Sequence, residues 1–208
     1  MPNRYGPLEY FAAFQVASDV EPRAVRWLWR GRIPRGALTL IVGDPGLGKS
    51  LLVADLAARV TTGRVFPEPT TKTDTTIDES PSDSPEPQSV TIISPEDSTA
   101  AVLRPRLTAA GADLHRVCLV IGASRTYRNQ TVMPLVLPDH MSAIEEALRA
   151  LDRPALLLID PLHAVLTPAA QCSSAALLQV LNGLAEIASS YGVAIVLTGH
   201  LSKTASGQ

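Results

Sequence analysis

Apolar residues along the chain gather in five short runs: Leu38–Val42, Val90–Ser94, Val117–Ile121, Ala155–Ile159 and Val193–Thr198. Each is nearly continuous rather than alternating, which suits strands covered on both faces. Between them the period changes to that of helices. Lys49–Thr62 carries Leu51, Leu52, Leu56, Ala57 and Ala58 and meets a stop at Gly63. A second helix starts with a cap at Asp97 or Ser98, runs to about Ala110 and ends at Gly111, with Pro105 expected to kink it or shift its start. A third starts at Asp139 or Ser142 and shows Ile144, Ala147, Leu148 and Leu151 on one face. Ser173–Ser190 holds Leu177, Leu178, Leu181, Leu184, Ala185 and Ala188 at helical spacing, and Tyr191-Gly192 turns the chain. Strands alternating with helices predict an α/β fold: a mostly parallel sheet with helices on both faces, in three layers.

Two stretches break this rhythm. Residues 67–89 are rich in Pro, Ser, Thr, Asp and Glu, with Ile77 as the single large apolar residue. Such a segment buries too little surface to offset the entropy of ordering it, so it reads as a disordered acidic insertion. Ahead of the first strand, residues 1–35 read as an N-terminal segment that packs on a core spanning 36–208. Leu8–Phe14 there suggests a short helical turn. Val25, Trp27 and Trp29 alternate, which suggests an extended segment with one large apolar face. That face would serve as a lid on the sheet edge, or else touch a nucleotide base or a neighbouring subunit. Ile33–Gly36 then turns into the first core strand.

Composition narrows the class. The 208 residues suffice for one α/β domain with a proper core, and 46% apolar content is ordinary for a globular protein. No run is long enough to cross a membrane, and the first residues do not read as a signal peptide. Cys118 and Cys172 lack C-x-x-C spacing and read as free thiols of a cytoplasmic protein; the four histidines show no zinc pattern. The net charge of −2 conceals an asymmetry: six acids and one lysine between 66 and 89 leave the remainder at +3. A mildly basic core permits nucleic-acid binding without arguing for it.

The strongest chemistry sits where the first strand meets the first helix. Gly43-Asp44-Pro45-Gly46-Leu47-Gly48-Lys49-Ser50 fits G-x-x-x-x-G-K-[ST], the P-loop pattern, with Leu51 following inside the helix. A triphosphate needs many donors converging on dense negative charge. Glycines at 43, 46 and 48 let backbone N–H groups approach phosphate oxygens, and the helix N-terminus points its own N–H groups and dipole at the same place. Lys49 adds a full charge at the β- and γ-phosphates. The Ser50 hydroxyl can join a Mg²⁺ shell, which prefers hard oxygen ligands.

A P-loop leaves the metal half held and the attacking water unassigned. Further carboxylates belong at the C-terminal ends of parallel strands. Asp160 follows four apolar residues at such a tip, the Walker B arrangement for the metal shell; a turn or cap role is its alternative, given Pro161 next to it. Glu96 lies just beyond the second strand, placed to orient or deprotonate a water as general base. Its rivals are Asp97 and an ordinary first-turn acid that complements the helix dipole. His200, after the fifth strand, is the candidate sensor of the γ-phosphate, with Lys203 as a second phosphate contact; solvent-facing loop residues are the plain alternative.

Taken in order, WLWRGRIPRGALTLIVGDPGLGKS, IISPEDS with the following LRPRL, LLLIDPL and TGHLSK resemble the RecA-like ATPases of the plasmid RepA replication-helicase type, and with them the wider AAA-family and DnaB/RecA ATPases. The resemblance covers about residues 21–66 and 90–204. It implies a RecA-like P-loop NTPase fold and hydrolysis of ATP with Mg²⁺ in a hexameric ring or filament, with the nucleotide at a subunit interface. It implies Lys49 and Ser50 on phosphate and metal, Asp160 on metal, Glu96 as base and His200 as sensor. It also implies single-stranded DNA gripped by Leu162–Gln171 and by the segment after His200; the first of these holds His163 but no Lys or Arg. Members of the group continue with further strands, so the chain is expected to be a C-terminally truncated copy.

Overall fold

A computed structural model describes residues 13–67, 86–125 and 131–200. Five strands form one parallel sheet: β3 (Leu38–Gly43), β4 (Ser89–Ile93), β5 (Val117–Leu119), β6 (Pro154–Ile159) and β7 (Ala194–His200), preceded by a small antiparallel hairpin of β1 (Trp27–Trp29) and β2 (Ile33–Pro34). The order across the large sheet is β3-β7-β6-β4-β5. The helices are α1 (Lys49–Thr62), α2 (Arg104–Ala110), α3 (Met141–Arg149), α4 (Pro168–Cys172) and α5 (Ser174–Tyr191). The α/β class and parallel sheet expected from the apolar runs are what the chain forms.

Strand pleating divides the core in two. Leu156 and Leu158 of β6 turn to one face with Val90, Ile92, Ala194 and Val196, where α1 and Leu107 of α2 cover them. Leu157 and Ile159 turn to the other with Ile93, Ile195 and Leu197, beneath α3, α4 and α5. Side chains on β4 and β6 are therefore buried on both faces, which explains why β6 shows no polar alternation and why even Ser89 and Thr91 of β4 are buried. The first apolar run behaves differently. β3 lies at the sheet edge beside β7, and Leu40 and Val42 are 58% and 51% exposed. The expectation of cover on both faces fails for β3 because cover depends on strand order, which a local apolar pattern does not encode.

The hairpin packs on the α1 face, and here too the burial phase differs from expectation. Leu28, not Val25, Trp27 or Trp29, is the buried residue, with Ile33 beside it. Trp29 instead stacks on Phe66, ring centroids 5.3 Å apart, and its indole N–H donates to the Pro67 carbonyl at 2.9 Å. These contacts fix the start of the acidic stretch. Its far end is held by an Arg153–Glu86 ion pair and by Arg35, whose Nη2 donates to Gln88 Oε1 at 2.6 Å. Residues 68–85 between them lie outside the described residues, as do Lys203 and residues 8–12 of the turn expected at Leu8–Phe14; Ala13 and Phe14, its described end, are not helical, and Phe14 is exposed rather than packed on the core.

Three helix starts depart from the sequence reading. Ser98 caps the second helical segment, its Oγ accepting from the Ala101 N–H at 3.3 Å, but the first turn, Thr99–Leu103, is a π-helix. Leu103 N–H bonds to Ser98 O and Arg104 N–H to Thr99 O, each five residues back. Pro105 then has no N–H to continue that pattern, and the α-helical part begins at Arg104. The third helix starts after His140 rather than at Asp139 or Ser142; His140 Nδ1 accepts from the Val136 N–H at 3.1 Å, and Leu151 lies past the helix end. Residues 162–171, expected as a loop, form a 3-10 turn (Leu162–Val165) and most of α4, which Thr167 caps. Val165, Leu166 and Ala170 from this stretch are buried against α3 and α5.

Candidate functional site

The C-terminal ends of β3, β4 and β6 meet at a cavity of about 280 Å³. Gly46, Gly48, Lys49, Ser50 and Leu51 line it from the β3–α1 turn, Ser94, Glu96 and Asp97 from the end of β4, Asp160 and Pro161 from the end of β6, and Arg106 from α2. Parallel pairing makes this convergence a matter of topology: every strand delivers its following residue to the same edge.

The turn is built as its glycines require. Gly46 and Gly48 have φ of 83° and 84°, the left-handed region, and Gly48 is the N-cap from which α1 departs. No side chain caps α1, so its first N–H groups are left toward the cavity end of the helix. The Lys49 ammonium folds back over the turn, donating to the carbonyls of Gly43 at 2.8 Å and Asp44 at 3.0 Å. Gly43, Asp44, Pro45 and Leu47 thus shape the turn without lining the cavity.

Opposite the turn, Asp160 is buried at the end of β6. Thr198, fully buried on the adjacent β7, donates its hydroxyl to Asp160 Oδ1. The two acids after β4 have different partners. Asp97 Oδ2 accepts from Arg106 Nη1 at 2.7 Å, while Glu96 is half-exposed and lies 3.4 Å from His163 Nε2. Ser94 Oγ is buried with no hydrogen-bond partner among the described residues. A buried hydroxyl left unbonded at a cavity wall is costly unless a ligand or its water shell satisfies it.

The donor set fits a nucleotide and a hard cation. Lys49 and the uncapped helix start offer positive charge, and Ser50 and Asp160 offer hard oxygen. Among the described residues no group of three or more His, Cys, Asp or Glu forms a metal cluster. Mg²⁺ takes one or two protein oxygens together with substrate phosphates, a role for which Ser50 and Asp160 are the available oxygens.

A model of an AAA domain, AAA_25, matches residues 7–206. The chain belongs to the AAA domain family. No curated protein matches it. Family membership carries nucleotide binding and supports ATPase activity. It covers the coarse part of the expected resemblance; the RepA helicase type goes beyond it.

Of the residues singled out in the sequence, this AAA domain brings Gly46, Gly48, Lys49, Ser50, Leu51, Glu96 and Asp160 to one cavity. His200 ends β7 in register with Gly43, the residue that opens the P-loop. Neither Trp27 nor Trp29 lines this cavity. Sequence reasoning missed Ser94, Arg106 and Thr198. Ser94 and Thr198 carried a usable signal, since each is a hydroxyl at or near the end of a buried strand, as Asp160 is a carboxylate there. Arg106 stood in the LRPRL stretch that carried the resemblance, but no role was read for it, because the π-turn before it breaks the helical period that would have placed it. No helix among the described residues is long and apolar enough to cross a membrane.

Proposed function

We propose that this AAA domain is an ATP-hydrolysing motor domain of the replication-helicase type, acting on single-stranded DNA as part of a ring. The observation that carries the reading is the convergence of Lys49, Ser50, Glu96 and Asp160 on one cavity. In this reading the Lys49 ammonium leaves the Gly43 and Asp44 carbonyls for the β- and γ-phosphates, where its charge meets a stronger acceptor. Ser50 and Asp160 hold the Mg²⁺ shell, and Thr198 fixes the Asp160 carboxylate. The metal supplies charge neutralisation on the transferring phosphate. Glu96 orients the attacking water and takes its proton. The partners favour Glu96 over Asp97 in this role: Asp97 is committed to Arg106, whereas Glu96 is half-exposed beside a longer contact. His200, at the end of β7 beside the P-loop, is assigned to sensing the γ-phosphate.

A second reading is a nucleotide-controlled binding module without motor activity. One observation favours it. The segment that would grip DNA, Leu162–Gln171, carries no Lys or Arg and turns Val165, Leu166 and Ala170 into the core. Steady-state ATP hydrolysis with and without single-stranded DNA, measured with the particle mass, separates the two. Turnover that rises with DNA in a particle of about six chains supports the motor. Nucleotide binding with little turnover, no DNA response and a monomeric mass supports the module.

A further inference from the structure

The cavity holds a cation with no task in the nucleotide reading above. Arg106 stands in the first turn of α2 and lines the same wall as Glu96 and Asp97. Its Nη1 donates to Asp97 Oδ2 at 2.7 Å, with the two side chains 25% and 24% exposed. A guanidinium has five N–H donors in a rigid fork. The other donors of Arg106 have no partner among the described residues. A planar fork with most of its donors unused therefore borders a cavity that also holds Lys49 and an uncapped helix start.

The helix bearing Arg106 adds a second observation. It is entered through the π-turn Thr99–Leu103, and Pro105 forces the return to α-helical spacing one residue before Arg106. π-turns are rare and collect at functional sites, because the extra residue changes which side chains share a face. Charge gives a third. The lining carries Lys49 and Arg106 against Glu96, Asp97 and Asp160. The carboxylate beside it, Asp97, is the one partner of Arg106 among the described residues. A triphosphate offers more charge and several oxygens that match the fork.

We infer that Arg106 is a phosphate-binding cation of this site, supplied by the same chain, and that Asp97 is the counter-ion it exchanges for phosphate oxygens. The inference rests on the reading that the cavity takes a nucleoside triphosphate. Arg106 and Glu96 both follow β4, so they approach from one side. If Glu96 acts on the water at the terminal phosphate, that phosphate is the one within reach of Arg106. Arg106 then distinguishes a triphosphate from a diphosphate, and Asp97 keeps the fork aimed at the cavity between turnovers.

The test is an equilibrium titration of the full 208-residue chain with a non-hydrolysable ATP analogue and with ADP, alongside thermal melting. Arg106→Ala is expected to weaken analogue binding about tenfold or more and ADP binding by less than about threefold. Arg106→Lys keeps the charge without the fork and is expected to recover part of the analogue affinity; it also serves if the alanine variant does not fold. Asp97→Asn frees Arg106 and is expected to leave analogue affinity unchanged or tighter. Equal losses for both nucleotides in Arg106→Ala and Asp97→Asn, with matching falls in melting temperature, would mean that the pair only ties the turn together, and would overturn the inference. So would unchanged analogue affinity in Arg106→Ala while the wild-type chain binds. A wild-type chain that binds neither nucleotide overturns the nucleotide reading itself, and this inference with it.

Discussion

Thr198 donates its hydroxyl to Asp160 across two adjacent parallel strands, and both side chains are buried. The bond fixes the rotamer of a carboxylate that faces the cavity from the end of β6. It also satisfies one oxygen that would otherwise be desolvated without a partner. Thr198→Val keeps the shape and removes the donor. It is expected to destabilise the domain by about 1–3 kcal/mol, the usual result of leaving a buried acceptor unpaired. Thr198→Ser keeps the hydroxyl and is expected to recover most of that loss. Thermal unfolding of both variants checks it, and equal melting temperatures for valine and serine would remove the bond from the account.

Lys49 makes its two contacts to backbone carbonyls of its own turn, not to a carboxylate. Removing it therefore leaves no buried charge behind. Lys49→Ala is expected to change the melting temperature of the nucleotide-free protein little, while abolishing nucleotide binding. Titration with a fluorescent ATP analogue reads the second effect. Wild-type affinity in this variant would sink the assignment of the turn to phosphate.

How far the sequence foretold this arrangement differs from element to element. The strands β4 and β6 were legible because central strands of a parallel sheet bury both faces, so β6 is apolar throughout and β4 carries Val90, Ile92 and Ile93 with Thr91 buried among them. The P-loop was legible because its spacing is dictated by the ligand rather than by the fold. The exposure of Leu40 and Val42 was not, since edge position follows from the order β3-β7-β6-β4-β5, a long-range property. Nor was the burial of Leu28: the alternation of Val25, Trp27 and Trp29 marked the wrong phase, because Trp29 found a partner in the distant Phe66. The cap was read as Asp97 or Ser98, and Ser98 takes it, but the π-turn it opens was hidden, and with it the placement of Arg106. The 3-10 turn and α4 within 162–172 escaped because each is too short to show a period.

The two cysteines differ in environment, and this gives a pH-dependent test of the core. Cys118 lies on β5 at the sheet edge, and burial pushes its thiol pKa up, because the thiolate loses solvation. Cys172 is exposed at the end of α4. At pH 8 a thiol-alkylating reagent is expected to modify Cys172 rapidly and Cys118 much more slowly, as peptide mapping by mass spectrometry would read. The sign of the stability effect follows. Above the unfolded thiol pKa, about 8.5, the folded chain holds this proton more firmly than the unfolded chain, so the contribution of Cys118 is full below that pH and is lost as pH rises through the folded value. Equal modification rates at the two positions would contradict the partial burial of Cys118.

The separate commitments of Glu96 and Asp97 lead to the last prediction. Asp97 is held by Arg106 at 2.7 Å, and Glu96 lies 3.4 Å from His163 with its carboxylate half in solvent. A residue that positions and deprotonates water needs a lone pair free for it, and Glu96 has the looser partner. Glu96→Gln preserves size and removes the proton acceptor. It is expected to keep nucleotide affinity within about threefold and to lower ATP turnover by about a hundredfold or more, since general-base catalysis contributes about 10²–10⁴. Single-turnover hydrolysis beside a binding titration separates the two quantities. A matching loss in Asp97→Asn with Glu96→Gln unaffected would transfer the role to Asp97, which the move of Arg106 onto phosphate oxygens would leave free to accept the proton.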